Sequence, residues 1–462
     1  MNGLLKKSLN ASIILAILTC FQYLIGLFAQ SNLAKNLSQE NFGEAAIIVM
    51  IVLFFISMSN LSSDKFLYKE SKNVLSEVVI IELLLSLLFL LLGWYTIDYI
   101  LSTFGVNTES ENYKYLLLLC FYNPLSRVRA IHEKEIDFLK ARWAYVVGQI
   151  TAPLIGMYFL KLDAGIYSIL IWKLSGLVIE VLLLNIFNFK LYNKPCFKSF
   201  NYSSYLRLCL PLQLSVVLVY IYSNVDYAII SSLVSVEQLG GYWLAFQFTN
   251  QILQSRKILI SVASPSFNKI DKKKAVLSSA RKINFILVLF FSIPLFIMLC
   301  FGKEFIELIF GSQWLEFTNI FTVFCVVLVF RGASTLIEPL CIRFDKTKIM
   351  LYTTVITTLI TIFLGFLFTK YYEATGMAYA ILTSSFVSVC FGYIMLCYYD
   401  FDIGIKNMLM NILCVLLFVF VFSELLEYLS YNTGFFEMVC FTIVYILFLI
   451  TFGYVSLAKQ KK

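Results

Sequence analysis

The chain has 462 residues, of which 60% are hydrophobic and 14% are charged. A soluble protein of this length does not need so much apolar surface, so the composition excludes a soluble globular protein and favours a membrane protein. The net charge of +8 would suit nucleic acid, but the basic residues lie in short loops between apolar segments rather than on one face, which argues against that partner.

Cysteine and histidine usage argues against two further classes of protein. The 11 cysteines are scattered, mostly inside apolar segments, and no two form a C-x-x-C pair, so neither a zinc site nor a disulfide framework is indicated. The chain has one histidine, His132, so a histidine-based metal site is not expected. No cofactor is expected either. A Walker-A sequence is absent, which argues against ATP hydrolysis by this chain.

Apolar segments long enough to cross a bilayer as helices follow one another along the chain. The first follows Lys6 and Lys7, exceeds the apolar core of a signal peptide and precedes no cleavage site, so it is interpreted as an uncleaved helix. The predicted spans are 9–30, 42–62, 77–99, 113–130, 143–160, 164–189, 205–233, 239–263, 281–301, 316–342, 349–369, 376–399, 404–426 and 435–456. We therefore expect an all-α integral membrane protein with about fourteen transmembrane helices.

A short polar turn occurs twice between long apolar segments. The segment Val225–Tyr242 contains the turn Ser235–Gly240, and the turn Ser38–Gly43 has the same pattern, Ser-x-Glu-x-apolar-Gly. Weaker matches follow in the same order, pairing Ile136–Arg142 with Ile342–Lys348 and Ala164–Leu170 with Thr375–Leu382. The matches predict two pseudo-symmetric six-helix lobes, 1–200 and 201–400, followed by two additional helices in 401–462.

Basic residues alternate between the loops on the two sides of the predicted spans. One set of loops carries roughly 27 of the lysines and arginines and the other roughly 5, which places the first set in the cytoplasm. Both termini are then cytoplasmic, and the turns at Ser38–Gly43 and Ser235–Gly240 are external. The two repeats share one orientation, as in transporters whose halves are related by an axis along the membrane normal.

Charged residues inside predicted spans need an explanation, because a charge at the centre of a helix costs at least ~2.5–3.5 kcal/mol. They include Glu82, Lys173, Glu180, Asp226, Arg331 and Glu338. Counting along the helices places Lys173 at a depth of ~14 Å and Arg331 at ~22 Å from the outer ends of their spans. The acids can serve as structural partners of these cations, or the charged groups can face a wet cavity.

The eighth predicted span carries a polar stripe. Gln247, Asn250, Gln251 and Gln254 recur at the spacing of one helix face, Lys257 continues that face, and Arg256 is adjacent. Hydrogen bonding between helices is one explanation, but a stripe that ends in cations favours a water-filled cavity. Amides hydrogen-bond sugar hydroxyls, and lysine and arginine bind phosphate, so the predicted ligand is a phosphate-bearing glycan.

Several stretches resemble a known family of transporters. These are V-D-Y-A-I-I…E-Q-L-G-G-Y within Val225–Tyr242, F-G-K-E-F-I-E-L-I-F-G at Phe301–Gly311 and Y-Y-E-A-T-G-M-A-Y-A-I-L at Tyr371–Leu382. Together with the two six-helix halves, they resemble the polysaccharide transporters, which include the O-antigen (Wzx-type) flippases. These belong to the multidrug/oligosaccharidyl-lipid/polysaccharide exporter superfamily and share the MATE-like architecture.

The resemblance implies a function and a place of action. Members flip undecaprenyl-pyrophosphate-linked oligosaccharide across the bacterial cytoplasmic membrane by alternating access through a cationic cavity between the lobes. The expected substrate is an O-antigen or capsule repeat unit, and other polysaccharide-assembly membrane proteins are possible partners. By resemblance, Asp226 occupies the frequent acid of the seventh helix and is the candidate for ion coupling, whereas Gly240 is the turn glycine. Lys173, Arg256, Lys257 and Arg331 are assigned to substrate binding from their depth alone.

Two other functions remain open at this point. A cation-coupled drug antiporter of the MATE type would share the fold, although acids would be expected to dominate its cavity. A membrane-embedded glycan polymerase or glycosyltransferase would be an enzyme, and Asp400-Phe401-Asp402 is a short D-x-D sequence of the kind that holds a metal–nucleotide sugar. Polymerases need a large external loop, which the predicted spans do not leave, so a non-enzymatic transporter is preferred.

Overall fold

The computed structural model describes residues 2–69, 74–106, 113–135, 138–197, 200–269, 272–346, 348–399, 401, 405–428 and 438–449. Over these ranges the regular structure is helical, and no strand occurs. The chain divides into two compact units, Met1–Gly240 and Gly241–Lys462. The predicted lobe limits at 200 and 400 concern the sequence repeat and stay a prediction.

The first unit contains nine α-helices and the first five residues of a tenth. They are α1 (Asn2–Asn36), α2 (Gln39–Met58), α3 (Asp64–Lys69), α4 (Leu75–Thr103), α5 (Tyr122–Leu125), α6 (Val128–Lys134), α7 (Phe138–Leu160), α8 (Ile166–Asn188), α9 (Tyr202–Leu233) and the beginning of α10 (Val236–Lys269). A 3₁₀-helix, Tyr113–Phe121, precedes α5. Helix α9 packs against α2 within this unit: Tyr220 donates a hydrogen bond to the carbonyl of Met50, and Gln213 donates to that of Ser57.

The second unit contains the rest of α10 and six further described helices. They are α11 (Lys273–Ile309), α12 (Thr318–Ser334), α13 (Ile337–Arg343), α14 (Lys348–Tyr398), α15 (Ile405–Tyr428) and α16 (Met438–Leu449). Stacked aromatic rings join α16 to α11 and α15 to α16: the ring centroid of Tyr445 in α16 lies 4.1 Å from that of Phe296 in α11, and that of Phe418 in α15 lies 4.2 Å from that of Phe448 in α16. The two additional helices predicted from sequence therefore belong to the packed core of this unit.

Eight helices within the described ranges are long and apolar enough to cross a membrane, by length and composition. They are Gln39–Met58, Leu75–Thr103, Arg142–Leu160, Ile166–Leu191, Tyr202–Leu233, Lys273–Ile309, Ser312–Arg343 and Lys348–Tyr398. The last one contains two predicted spans, which meet at a break at Tyr372 and Glu373. Where their residues are described, all the predicted spans lie mainly in helical segments, which confirms the all-α, multi-pass architecture. Residues 404, 435–437 and 450–456 of the last two predicted spans lie outside the described residues.

The spans predicted at 113–130 and 316–342 are both interrupted helices. The first consists of the 3₁₀-helix, α5 and α6, and the second consists of a 3₁₀-helix, α12 and α13. Helix α6 begins at Val128 and ends at Lys134, and α13 begins at Ile337 and ends at Arg343, so both ends differ by 209 residues. This common break supports the internal repeat more directly than the sequence matches do.

A second irregularity also recurs with nearly the same period. Gly165, before α8, has φ 55° and ψ −131°, and Glu373, inside α14, has φ 51° and ψ −141°. A glycine adopts this backbone conformation readily, whereas a residue with a side chain adopts it at a cost. The sequence match had paired Gly165 with Gly376, so the structure moves the correspondence by three residues.

Helix α2 and the first turn of α10 cross at two glycines within the first unit. A Cβ atom added to Gly43 would lie 1.9 Å from the carbonyl oxygen of Val236, and one added to Gly240 would lie 1.9 Å from that of Gln39. Gln39 and Val236 are separated by 197 residues, as are Gly43 and Gly240. The two repeated turns therefore pack against each other reciprocally, and each supplies the glycine that the other requires.

The serines of the two turns cap the helices that follow them. The hydroxyl of Ser38 accepts a hydrogen bond from the backbone N–H of Asn41, and that of Ser235 accepts one from Gln238. Such a cap satisfies one of the free N–H groups at the start of a helix. A hydrogen bond from its own backbone N–H, followed by one from the Ser235 hydroxyl, lowers the pKa of Glu237. The predicted turns between helices are thus confirmed.

We expect Gly43→Ala and Gly240→Ala each to reduce the amount of folded protein, because even one methyl group collides with a backbone oxygen. The cost of such overpacking is about 1–3 kcal/mol or more. Thermal unfolding of the purified protein in detergent measures it. Gly302→Ala is the matched control, because its nearest neighbour would be a side-chain atom of Thr318 at 3.1 Å. Unfolding temperatures equal to that of the control would contradict the close crossing.

Candidate functional site

A buried ion pair joins α4 to the segment between α5 and α6 in the first unit. The guanidinium of Arg127 donates to Glu82 through Nε at 2.6 Å and through Nη2 at 2.9 Å, and a further hydrogen bond goes to Asn60. The carboxylate also accepts from Ser63, whose hydroxyl lies 2.7 Å from that of Tyr205 in α9. Glu82 lies inside a predicted span, and the structure shows it fully buried and paired with Arg127.

A second ion pair joins α6 to α8 in the same unit. Arg129 donates to one oxygen of the buried Glu180 at 2.8 Å, and the hydroxyl of Tyr122 donates to the other oxygen at 2.8 Å. Of the two roles left open for Glu180, the structure therefore supports the structural one. The carboxylate needs both donors because an unpaired charge at this depth would be costly.

Two further sequence candidates belong to the first unit. Lys173 in α8 is half-buried, and its ammonium lies 4.0 Å above the ring of Trp172. Asp226 in α9 is buried, with 4% of its surface exposed. Lys173 and Glu180 lie on one face of α8, as predicted, but the Arg129 pair occupies the carboxylate. The assignment of Lys173 to substrate binding and that of Asp226 to ion coupling stay predictions.

Two charged side chains lie near Arg256 in the second unit. Arg331 in α12 and Glu338 in α13 both lie near enough to Arg256 of α10 for their charges to act on its guanidinium. Both arginines are half-buried, whereas Glu338 is exposed. Among the residues that the structure describes, no carboxylate lies within 4.0 Å of either guanidinium. Glu338 reduces the positive field of this arginine pair without closing an ion pair.

The polar stripe of α10 lies on the same helix as Arg256. Gln247, Asn250, Gln251 and Gln254 are all half-buried, and Gln254 donates a hydrogen bond to Asn250 at 3.4 Å. The Oε1 atom of Gln254 is buried and, within the described ranges, accepts no hydrogen bond. The side chain of Lys257 lies outside the described residues.

The two units differ in the charged groups that lie near their arginines. In the first unit, Arg127 and Arg129 each meet a buried carboxylate, so their charges are neutralised. In the second, Arg331 and Glu338 both lie near enough to Arg256 for their charges to act on its guanidinium, and no carboxylate of the described residues pairs with either arginine within 4.0 Å. Two cations held together in partly dry surroundings form a site for an anion, and guanidinium groups suit phosphate oxygens in particular.

Sequence reasoning missed the partners of the buried acids. Arg127 and Arg129 were counted among the basic residues of a cytoplasmic loop, although the predicted span 113–130 includes both. The signal that could have found them is the presence of Glu82 and Glu180 in apolar helices, since a buried carboxylate requires a cation. The sequence shows that requirement but does not show which of several basic residues meets it.

The fold of this chain is similar to the folds of several solved membrane transporters. The structure superposes on the lipid II flippase MurJ in an inward closed conformation with a TM-score of 0.68 and 20% identity, covering 96% of this chain and 100% of that one. It also resembles a multidrug resistance MATE family transporter in an inward-facing conformation, with a TM-score of 0.56, 15% identity and coverage of 85% and 94%. A MOP superfamily transporter from Pyrococcus furiosus superposes with a TM-score of 0.53 and 16% identity, covering 87% of this chain and 96% of that one.

The family follows from the sequence itself. A family model described as "Polysaccharide biosynthesis protein" matches residues 32–319, which is more than half of the chain. The chain therefore belongs to this family, and the predicted resemblance to polysaccharide transporters is confirmed at that level. No curated protein matches the sequence.

Two observations concern the enzyme and metal-site alternatives. Asp400 and Asp402 of the D-x-D sequence lie outside the described residues. Over the described ranges, no group of three or more histidine, cysteine or acidic side chains is arranged to hold a metal ion.

We expect Glu82→Leu and Arg127→Met each to destabilise the protein by about 3–5 kcal/mol, because each leaves one buried charge alone. The double variant should lose less than the sum of the two, since it removes both charges together. Denaturant or thermal unfolding in detergent gives the three values. Lys140→Ala provides the control, because it removes an exposed charge from the same unit and should change the free energy of unfolding by less than about 1 kcal/mol. Additive losses in the double variant would show that the pair is not a unit.

Proposed function

We propose that this protein is a flippase that moves a polyprenyl-pyrophosphate-linked oligosaccharide across the bacterial cytoplasmic membrane. The observation that carries the proposal is the arginine pair, Arg256 and Arg331, held without a close carboxylate beside the amide stripe of α10. Membership of a polysaccharide biosynthesis family and a transporter fold support it. The solved structure that superposes on 96% of this chain is a lipid II flippase.

The chemistry of the substrate explains why cations are needed. A pyrophosphate headgroup carries negative charge that cannot cross hydrocarbon bare, so the protein must offset its desolvation along the path. Arg256 and Arg331 supply forked donors for phosphate oxygens, while Gln247, Asn250, Gln251 and Gln254 supply donors and acceptors for sugar hydroxyls. Lys257 continues the stripe in sequence, and Lys173 provides a further cation by its depth in α8.

The proposed orientation of the protein in the membrane is based on the charge of its loops. The basic loops and both termini are cytoplasmic in this proposal, and the turns at Ser38–Gly43 and Ser235–Gly240 are external. The substrate class is an O-antigen or capsule repeat unit, and other membrane proteins of polysaccharide assembly are its partners. The protein performs no catalysis in this scheme, because translocation requires alternating exposure of the site rather than a chemical step.

We expect Arg331→Ala to abolish surface polysaccharide while the protein reaches the membrane in normal amount. Loss of one charged hydrogen-bond donor to phosphate should reduce transport about ten- to a hundredfold. Arg256→Lys should be milder than Arg256→Ala, because lysine keeps the charge and loses the fork. Polysaccharide on the cell surface and protein in the membrane fraction are both measured.

Lys348→Ala is the matched control for these variants. It also removes one positive charge from the second unit, but Lys348 is exposed at the start of α14. It should leave surface polysaccharide unchanged. Wild-type polysaccharide in both Arg331→Ala and Arg256→Ala cells would remove the anionic-substrate proposal and favour the drug antiporter.

Asp226 is proposed as the group that couples transport to an ion gradient, since a carboxylate in a partly dry site can bind and release a proton as access alternates. Asp226→Asn should slow transport and remove its dependence on the proton or sodium gradient, as measured in vesicles with imposed gradients. Asp98→Asn, which changes an exposed acid paired with Lys114, should retain that dependence. An unchanged gradient dependence in Asp226→Asn would exclude Asp226 from coupling.

A further inference from the structure

Helix α12 ends at Ser334, three residues after Arg331, at the break that separates it from α13. The last carbonyl groups of a helix have no partner within the helix, so each needs a donor from elsewhere. The carbonyl of Arg331 accepts hydrogen bonds from the hydroxyls of Ser334 at 3.0 Å and Thr335 at 3.1 Å. That of Gly332 accepts from the backbone N–H of Thr335 at 3.2 Å. These two carbonyls are therefore satisfied by residues of the break itself.

The next carbonyl, that of Ala333, is bonded from another helix. The hydroxyl of Tyr393 in α14 donates to it at 2.7 Å, and the oxygen of that hydroxyl accepts from Nδ2 of Asn284 in α11 at 2.8 Å. A tyrosine hydroxyl has one proton, so the amide must present its NH₂ group to it. Tyr393 and Asn284 are both buried. This chain of two hydrogen bonds ties the end of α12 to both α11 and α14.

Close packing restricts the break on both of its sides. A Cβ atom added to Gly332 would lie 2.3 Å from a ring carbon of Phe291 in α11. One added to Gly392 would lie 2.6 Å from Cδ1 of Ile337 in α13. Gly392 precedes Tyr393 directly in α14, so the hydrogen bond and the close approach come from one turn of that helix. Such close packing transmits a shift at one residue to its neighbours.

The first unit contains the same hydrogen bond with a different donor. Nδ2 of Asn185 in α8 donates to the carbonyl of Leu125, the last residue of α5, at 2.8 Å. The Oδ1 atom of this amide accepts from the hydroxyl of Tyr192 at 2.6 Å. Donor and acceptor are 60 residues apart in this unit, and so are Tyr393 and Ala333 in the other. Both repeats therefore bond the helix end at the break to the same later helix, although the donor has changed from an amide to a phenol.

The arginines near the two breaks are held in different ways. Arg127 and Arg129 follow Leu125, and each is located by a buried carboxylate. Arg331 has no carboxylate within 4.0 Å among the residues that the structure describes. Its position depends on the backbone of its own turn, because no ion pair fixes it. A guanidinium binds phosphate oxygens with a fixed fork of donors, so a shift of that turn would spoil the match.

We propose that Tyr393 is a positioning residue, which holds the last turn of α12 so that Arg331 can bind the phosphate groups of an anionic substrate. The inference rests on the proposed function, in which Arg331 binds those phosphates. Tyr393 is fully buried and acts through the carbonyl of Ala333 rather than by contact with the substrate. Asn185, the equivalent donor of the first unit, has no such role, because the arginines near it are already paired.

The affinity of the purified full-length protein for inorganic pyrophosphate tests this role, as measured by isothermal titration calorimetry in detergent. Tyr393→Phe removes one hydroxyl and keeps the ring, and we expect it to weaken pyrophosphate binding about tenfold. In a protein that already carries Arg331→Ala, the same substitution should cause no further loss of affinity, because its effect passes through Arg331.

Asn185→Leu is the matched control, because it removes the corresponding hydrogen bond from the other break. Both single variants should lower the unfolding temperature, since each leaves polar groups without their partners. Only Tyr393→Phe should weaken pyrophosphate binding. An equal loss of affinity in Asn185→Leu, or the same loss from Tyr393→Phe with and without Arg331, would show that Tyr393 is only structural and would overturn the inference.

The remaining outcomes separate the inference from the proposed function. If Arg331→Ala weakens pyrophosphate binding and Tyr393→Phe does not, the inference fails and the proposed function stands. If the wild-type protein does not bind pyrophosphate, or if neither variant changes its binding, both fail. Asn284→Leu replaces Tyr393→Phe if the latter is too unstable to purify. It removes the group that orients the Tyr393 hydroxyl and should weaken binding only when Arg331 is present; unchanged affinity overturns the inference.

Discussion

The reciprocal crossing of α2 with the first turn of α10 is the constraint on which the rest of the first unit depends. Gly43 and Gly240 allow each helix to approach a backbone carbonyl of the other, and no residue with a Cβ atom could do so at these distances. The crossing fixes where α10 begins, and α9 is fixed with it through its hydrogen bonds to α2. A turn that occurs twice thereby becomes a contact between the two copies.

The two units share a helix break but differ in the arrangement of their charged residues. The buried carboxylates Glu82 and Glu180 each bind an arginine in the first unit, and these pairs join α4 and α8 to the segment that contains both arginines. The second unit repeats the helix break that positions those arginines, but its own cations, Arg256 and Arg331, act on each other. The repeat has therefore diverged at the side chains, so that one copy is braced by ion pairs and the other presents positive charge.

The backbone preserves the repeat where the sequence has lost it. Glu373 adopts nearly the backbone angles of Gly165, although only a glycine does so without strain, and the matching break before α6 and α13 has no shared residue that would predict it. Sequence comparison aligned Gly165 with Gly376 because both are glycines. The packing around the break, rather than the residue at its centre, has fixed this turn between helices.

The sequence by itself determined the class of fold, because long apolar segments in a bilayer must form helices that satisfy their own backbone groups. It also determined the two capped turns, since serine caps and glycines act within a few residues. Only the tertiary structure decided that Arg127 and Arg129 neutralise Glu82 and Glu180, whereas Arg256 lies near Arg331. Pairing depends on which helices lie side by side, and composition and periodicity carry no information about distance across the fold.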